Sequence, residues 1–461
     1  MSRGRRPERA AFDRRQWYGS GAGAGQDTGI IFESQLLTTL VPQQGGGDRT
    51  PTFTRATTAT VMGYASDAVS GASQVLLTAA SGEARFEGAR RVSEGVWSAV
   101  LFDGTAIATS TLKGYLAEGA RTNSILQSNT LGTTWTISNA ADMEAVSADQ
   151  YVSVDGATTM DKLQPKATTA VHSLDQAFTF TAAKYTCAAD LRYVAATPQR
   201  WVALILNDGT TTWGASFDLL NGVVGAVSAG ATSGIETTGQ ANVYRVWVTN
   251  TANAAAAAGT VKISLNATDT ATLESAARAG TETLGAGMVQ LEVGTFKSSR
   301  ITTTTAAVAR NQDLLTYPTA GNIKNAGGTF YAEVAFITGP ANFSTSGYML
   351  EGSSGTSGVL KNATNTVFQV RSTGTVLNSN AGTFASNTVA KCAAAWDSTK
   401  LYATFDGLAV ASTVFAGSID FESSASISIG GLSGDALNGT IRNVRIYSRA
   451  LSDAQLQAMT S

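Results

Sequence analysis

From residue 51 onward the chain alternates short β-branched and aromatic runs with turn-forming residues. Trp201–Leu206 ends at Asn207-Asp208-Gly209, Phe217–Leu220 ends at Asn221-Gly222, and Tyr244–Thr249 follows. Asp-Gly and Asn-Gly tolerate the positive φ of a tight hairpin, so each run reads as a strand and each dipeptide as its turn. The C-terminal third repeats the habit in Thr329–Ile337, in Leu401–Phe405 before Asp406-Gly407, and in Ser426–Ile429 before Gly430-Gly431. Strands punctuated this way predict an all-β chain of tandem antiparallel β-sandwich or jelly-roll domains. Helical periodicity is nearly absent until the extreme C-terminus. There Ser452 and Gln455 have capping-box spacing, and Leu451 and Leu456 stand where a hydrophobic staple belongs, which predicts one short helix.

The first 50 residues follow a different pattern. Arg3, Arg5, Arg6, Arg9, Arg14 and Arg15 are opposed only by Glu8 and Asp13. A flexible Gly19–Gly25 spacer follows, then a short apolar piece, Ile30–Leu37, and then Gly45-Gly46-Gly47. Such a stretch cannot bury a core by itself, so residues 1–50 are expected to form an extended, basic, Gly-rich arm, mobile or docked on a partner. The basic start resembles the n-region of a signal peptide, but no apolar h-region follows it, so synthesis in the cytoplasm is expected.

Composition narrows the picture. The chain has 461 residues, of which 14% are charged, with 47 Gly, 7 Pro and a net charge of −2. It is too apolar for disorder and carries no global basic field to draw it to nucleic acid. No stretch approaches the roughly 18 apolar residues of a membrane span. Cys187 and Cys392 cannot make a disulfide framework, and His172 is the sole histidine, so His-ligated metal sites and Ser-His-Asp catalysis are poor fits. His172 is expected at the surface or in a strand.

A search for chemistry returns little. Asp190, Asp218, Glu292, Glu333 and Asp406 are isolated or at turns, without the Glu-x-Asp-x-x-Glu strand of laminarinase-type hydrolases; structural roles are expected for them. There is no phosphate-binding loop, and no Asp-rich loop beyond Asp420-Phe421-Glu422 that would suit calcium. Neither a catalytic site, a cofactor nor a metal is expected. The arginine cluster lacks the interleaved aromatics of a nucleic-acid surface, so a protein partner fits it better. Sugar binding is the open possibility, because aromatic faces stack on pyranose rings. Tyr193, Trp201, Trp213 and Trp247, and later Tyr348, Trp396 and Tyr402, supply such faces, although large aromatics also dominate cores. Trp213, Tyr193, Trp396 and Tyr402 are the candidate glycan contacts, Trp213 first because it follows three threonines at the Asp208-Gly209 turn.

Several segments resemble a family. Thr52-Phe53-Thr54-Arg55-Ala56-Thr57, then Gly119-Ala120-Arg121-Thr122-Asn123 with Trp135, look like the opening of bacteriophage head-spike-fibre and tail-fibre proteins. Phe217-Asp218-Leu219, Tyr244-Arg245-Val246 and Val289–Gly294 followed by Arg300-Ile301-Thr302 resemble that group's carbohydrate-binding-module-like sandwich. Phe405-Asp406-Gly407, Gly439–Tyr447, Ala450-Leu451-Ser452 and the terminal helix resemble laminin-G/concanavalin-like jelly rolls. The resemblance divides the chain into an anchoring arm (1–50), a small β-rich connecting module (51–122), a carbohydrate-binding-module-like sandwich (123–310) and a jelly roll (311–461). It implies a non-enzymatic virion protein assembled in the host cytoplasm, a homo-oligomeric (trimeric) head or tail fibre. Its arm would hold capsid, portal or tail proteins and its sandwiches would meet host glycans. The alternatives are a capsid decoration protein without receptor binding, a free glycan-binding protein, or a polysaccharide depolymerase with a site between subunits.

Overall fold

The computed structural model describes residues 29–337, 347–352, 357–361, 368–372, 375–379, 384–385, 387–414, 419–432, 434 and 436–461. Arg3, Arg5, Arg6, Arg9, Arg14 and Arg15 lie outside the described residues. Over the described residues the fold is all-β, built from antiparallel sandwich sheets with one short C-terminal helix, as the turn pattern and the capping-box spacing predict.

Two large sheets face each other across one core. The nine-stranded sheet runs through Gln44–Gly45, Ile30–Ser34, Gly439–Tyr447, Gly328–Phe336, Ala390–Trp396, Lys400–Phe405 and Ala411–Val414, with Gly114–Ala117 and Phe86–Glu87 branching from it. The seven-stranded sheet opens with Thr52–Thr54, Leu314–Pro318, Ser426–Ile429 and Gly347–Gly352. Period-two alternation decides what each strand buries. Leu401, Ala403 and Phe405 point into the core shared with Leu315, Leu350, Val359 and Ile427. On the outer face, Tyr402 packs with Tyr331, Tyr447 and Leu456 beneath the helix Asp453–Thr460. Ser452 caps that helix in a full capping box with Gln455.

Residues 29–50, read from the sequence as part of the arm, lie in this larger sheet. Phe32 pairs with Ile446 and Ser34 with Val444, and the Phe32 ring is fully buried against Tyr317. The connecting module likewise lends strands to the jelly roll: Phe53 pairs with Leu315, and Leu116 with Thr440. The boundaries drawn at residues 50 and 122 therefore pass through shared sheets.

The second sandwich is formed by the intervening chain. One six-stranded sheet is centred on Ala258–Asn266 and Trp201–Asn207, the other on Leu284–Val293 and Tyr185–Tyr193. Val202, Leu204 and Leu206 face Cys187, Ala189 and Leu191 between them. Gly222 closes its hairpin at φ 66°, a conformation that glycine adopts at no steric cost. This sandwich leaves and re-enters the jelly roll at one place, where Arg121–Asn123 pairs with Val308–Arg310.

Five charged side chains are buried near that junction. Arg55 donates to Asp313 at 2.8 Å, Arg85 to Glu118 at 2.9 Å and to Asp313, and Arg310 to Glu118 at 2.8 Å. Burial alone would push the Glu118 carboxyl up, but Arg310 and Arg85 overcome it and hold it at about 2.

Candidate functional site

The outer face of the sheet holding Tyr185–Tyr193, Val243–Asn250 and Leu284–Val293 carries a concentration of polar groups. Alternation sends Val246 and Val248 into the sandwich core and leaves Arg245 and Trp247 on the outer face. Asp190 projects from the neighbouring strand and is fully buried. It accepts two hydrogen bonds from Arg300, at 2.7 and 3.0 Å, and one from Arg245 at 3.2 Å. Arg245 also donates to the Met288 carbonyl at 2.6 Å and to Gln290 at 3.2 Å. Both guanidinium groups are thereby fixed.

Where the connecting module meets this face there is a cleft of about 300 Å³, lined by Gln74, Glu87, Lys113, Glu236, Arg245 and Arg300 among others. The volume is at the lower end of the range for small-molecule sites. Lys113 pairs with Glu87 at 2.8 Å, and Lys297 with Glu236 at 2.9 Å. Asn387 donates to Glu236 at 2.8 Å. Burial raises the Glu236 carboxyl, but Lys297 overrides this and holds it below the usual range. Lys297 Nζ also sits 4.9 Å from the centre of the Trp247 ring, a cation–π arrangement. That half-buried ring lies over Gly234, whose missing side chain leaves it room: a Cβ there would stand 2.1 Å from the indole. Among the described residues, Gln74, Thr237 and the second oxygen of Glu87 have no side-chain partner, so the cleft offers both donors and acceptors.

The four aromatic candidates lie elsewhere. Trp213 is 4% exposed in the core of the second sandwich, and Trp396 is fully buried, its indole donating to the Lys324 carbonyl at 2.9 Å. Neither offers a ring face to a sugar, because both faces are covered by protein. Tyr193 is half-buried against the sandwich core, and the half-buried Tyr402 donates to Asp397 at 3.1 Å. Of the acids, Asp218 ties the Asn221-Gly222 turn and receives Arg200, while Glu333 receives Arg442 and Asn443. His172 is buried, not at the surface, with Nε2 3.1 Å from Thr168. Among the described residues no cluster of three His, Cys, Asp or Glu could hold a metal, and no helix is long and apolar enough to cross a membrane.

The sequence reading missed Glu87, Lys113, Glu236, Arg245 and Arg300 as a group. Only Arg245 carried a local signal, as a charge alternating with core residues beside Trp247.

Residues 310–457 match the family described as the Concanavalin A-like lectin/glucanases superfamily, so the C-terminal jelly roll is similar to the laminin-G-type, concanavalin-like domains of that family. No curated protein matches the chain. Among solved structures it is similar to domain 4 of a GH43 extracellular arabinanase from Geobacillus stearothermophilus, in complex with arabinotriose. The identity is 13% and the TM-score 0.28, over 36% of this chain and 82% of that one. The LG1-3 region of the laminin alpha2 chain aligns at 10% identity and TM-score 0.24, over 61% and 66%. The Trypanosoma rangeli sialidase in complex with sialic acid aligns at 11% and 0.23, over 65% and 60%. At these scores none of the three bears on function.

Proposed function

We propose that the chain is a glycan-binding β-sandwich protein that binds through the cleft between the connecting module and the second sandwich. The observation that carries this reading is the cleft itself: fixed guanidinium groups, paired carboxylates and unpartnered polar side chains beside a half-buried tryptophan. The lectin-superfamily match of residues 310–457 supports the same class. The cleft is read as binding, not catalytic. Hydrolysis of a glycosidic bond uses a protonated carboxyl as acid, whereas Glu236 is held ionised by Lys297 and Glu87 pairs with Lys113.

The biological setting rests on the resemblance of Thr52–Thr57 and Gly119–Asn123 to phage fibre openings. In this reading the protein is an oligomeric head or tail fibre of a virion, assembled in the host cytoplasm and anchored through residues before Gly29. Arg55 from the first motif binds Asp313, and Asn123 from the second donates to the Val289 and Ile301 carbonyls. The motifs thus act as fasteners between parts of the fold.

A glycan array probed with the full chain tests the binding reading, with Glu236→Ala and Trp247→Ala as variants. Glu236→Ala, which removes a lining carboxylate, is expected to weaken the wild-type hits by about tenfold or more, the worth of one charge-assisted hydrogen bond, and Trp247→Ala, which removes the ring under Lys297, to weaken them less. Unchanged hits would exclude the cleft. Light scattering tests the fibre: a trimer is expected, and a monomer of 47.5 kDa would sink it.

A further inference from the structure

A second cleft, of about 370 Å³, opens beside the Arg121–Asn123 and Val308–Arg310 ladder. Arg121 and Arg310 stand directly opposite each other in that ladder, and both line the cleft. Side chains opposite one another in an antiparallel pair share a face, so both arginines leave the ladder on the same side, where like charges are unfavourable unless anions compensate.

The compensation is incomplete. Arg310 is 1% exposed and spends its terminal nitrogens on Glu118, Ser299 and the Gly119 carbonyl, while its Nε–H is buried without an acceptor. The Arg121 Nε–H is also buried and unpaired. Its nearest carboxylate, Glu292, is 3.8 Å away and already accepts from Gln290 and from Ser298 twice. Apart from a 3.5 Å contact to the Ala120 carbonyl, Arg121 has no other hydrogen bond among the described residues, and its guanidinium lies 4.5 Å over the Phe296 ring. Among the described residues Arg55, Arg85 and Arg310 share Glu118 and Asp313, one carboxylate short, and Arg121 has only the 3.8 Å approach of Glu292.

A planar guanidinium with free donors, backed by an aromatic ring and beside a cluster one carboxylate short, matches a carboxylate in geometry and sign. The rest of the lining narrows the ligand. Thr122, Ser124 and Asn311 bring side-chain polar groups without partners among the described residues, suited to sugar hydroxyls. Val293, half exposed, gives an apolar surface for a ring face. We infer that this cleft binds a carboxylate-bearing sugar, a uronic or sialic acid residue, through Arg121. The inference deepens the glycan-binding reading and rests on it.

Calorimetric titration of the full chain with glucuronate and N-acetylneuraminate tests it, with glucose and acetate as controls. The acidic sugars are expected to bind, and Arg121→Gln to weaken them by about tenfold or more. Thr122→Glu, at an exposed position that bears no core contact, is expected to do the same by repelling the carboxylate. It also serves if the arginine variant fails to fold. Acidic-sugar binding unchanged in both variants would overturn the site. Acetate binding as tightly as the sugars would overturn the saccharide class. Glucose binding without the acidic sugars would overturn this inference while leaving the glycan reading intact, and no binding to any sugar here or on the array would remove both.

Discussion

Arg55 and Asp313 meet at 2.8 Å with both side chains sealed from water, although the connecting module supplies one and the jelly roll the other. Arg85 shares the same carboxylate, and Glu118 ties Arg85 to Arg310. Ions this deeply buried contribute little net stability compared with apolar packing, but each depends on its partners.

Asp313→Ala should therefore cost about 3–5 kcal/mol, because it leaves Arg55 charged and buried without its carboxylate and Arg85 with Glu118 alone. Urea denaturation followed by tryptophan fluorescence measures this. A loss below about 1 kcal/mol, the scale of an exposed ion pair, would show that the cluster is open to solvent.

The same cluster sets an acid limit. The Glu118 carboxyl is held at about 2 against an ordinary 4.5, so on acidification the unfolded chain takes up this proton before the folded one does. Its stabilising effect is complete above pH 4.5 and drains away as pH falls toward 2. Asp208 behaves alike: burial raises it, but the backbone N–H groups of Ala255, Thr211 and Thr210 bring it to about 2. Denaturation midpoints should fall steeply across this window, and Glu118→Gln should flatten that fall. A parallel fall in the variant would assign the acid transition to other groups.

Trp396 tests the distinction between core and ligand platform. Trp396→Ala should destabilise the jelly roll by about 3–5 kcal/mol through cavity formation. The loss of its hydrogen bond to the Lys324 carbonyl adds to that. Trp213→Phe should leave glycan binding unchanged, and a specific loss of binding at full stability would return Trp213 to the site.

Both thiols should be inert in the folded protein. Cys187 and Cys392 are buried, and burial pushes the Cys187 thiol up to about 12, so almost no reactive thiolate exists at pH 8. Ellman's reagent should titrate neither thiol in native protein and both in denaturant. Rapid native labelling would mean that one sandwich opens readily.

The strands and the helix were legible because their signals are local. Asn221-Gly222 places a turn wherever the rest of the chain goes, and Ser452 with Gln455 caps a helix within one turn. The merging of Ile30–Ser34 and Thr52–Thr54 into the jelly roll was not legible, since their partners, Gly439–Tyr447 and Leu314–Pro318, lie hundreds of residues away. The cleft is hidden for the same reason: Glu87, Lys113 and Glu236 belong to separate strands that no spacing rule connects. Trp213 was readable and was misread. Its alternation with Ala215 and Phe217 places it on the core face, a stronger signal than the threonines before it.

The ladder between Arg121–Asn123 and Val308–Arg310 also implies an order of events during synthesis. All twelve strands of the second sandwich, from Thr136–Ile137 to Leu284–Val293, emerge from the ribosome as one uninterrupted stretch. That sandwich can fold as soon as it emerges. Ile30–Ser34 and Gly114–Ala117 emerge earlier yet must wait for Gly439–Tyr447, the strand that both pair with, made hundreds of residues later. Until then the apolar faces of Phe32 and Tyr115 have no sheet to enter, so the nascent N-terminal segment is where a chaperone would be needed.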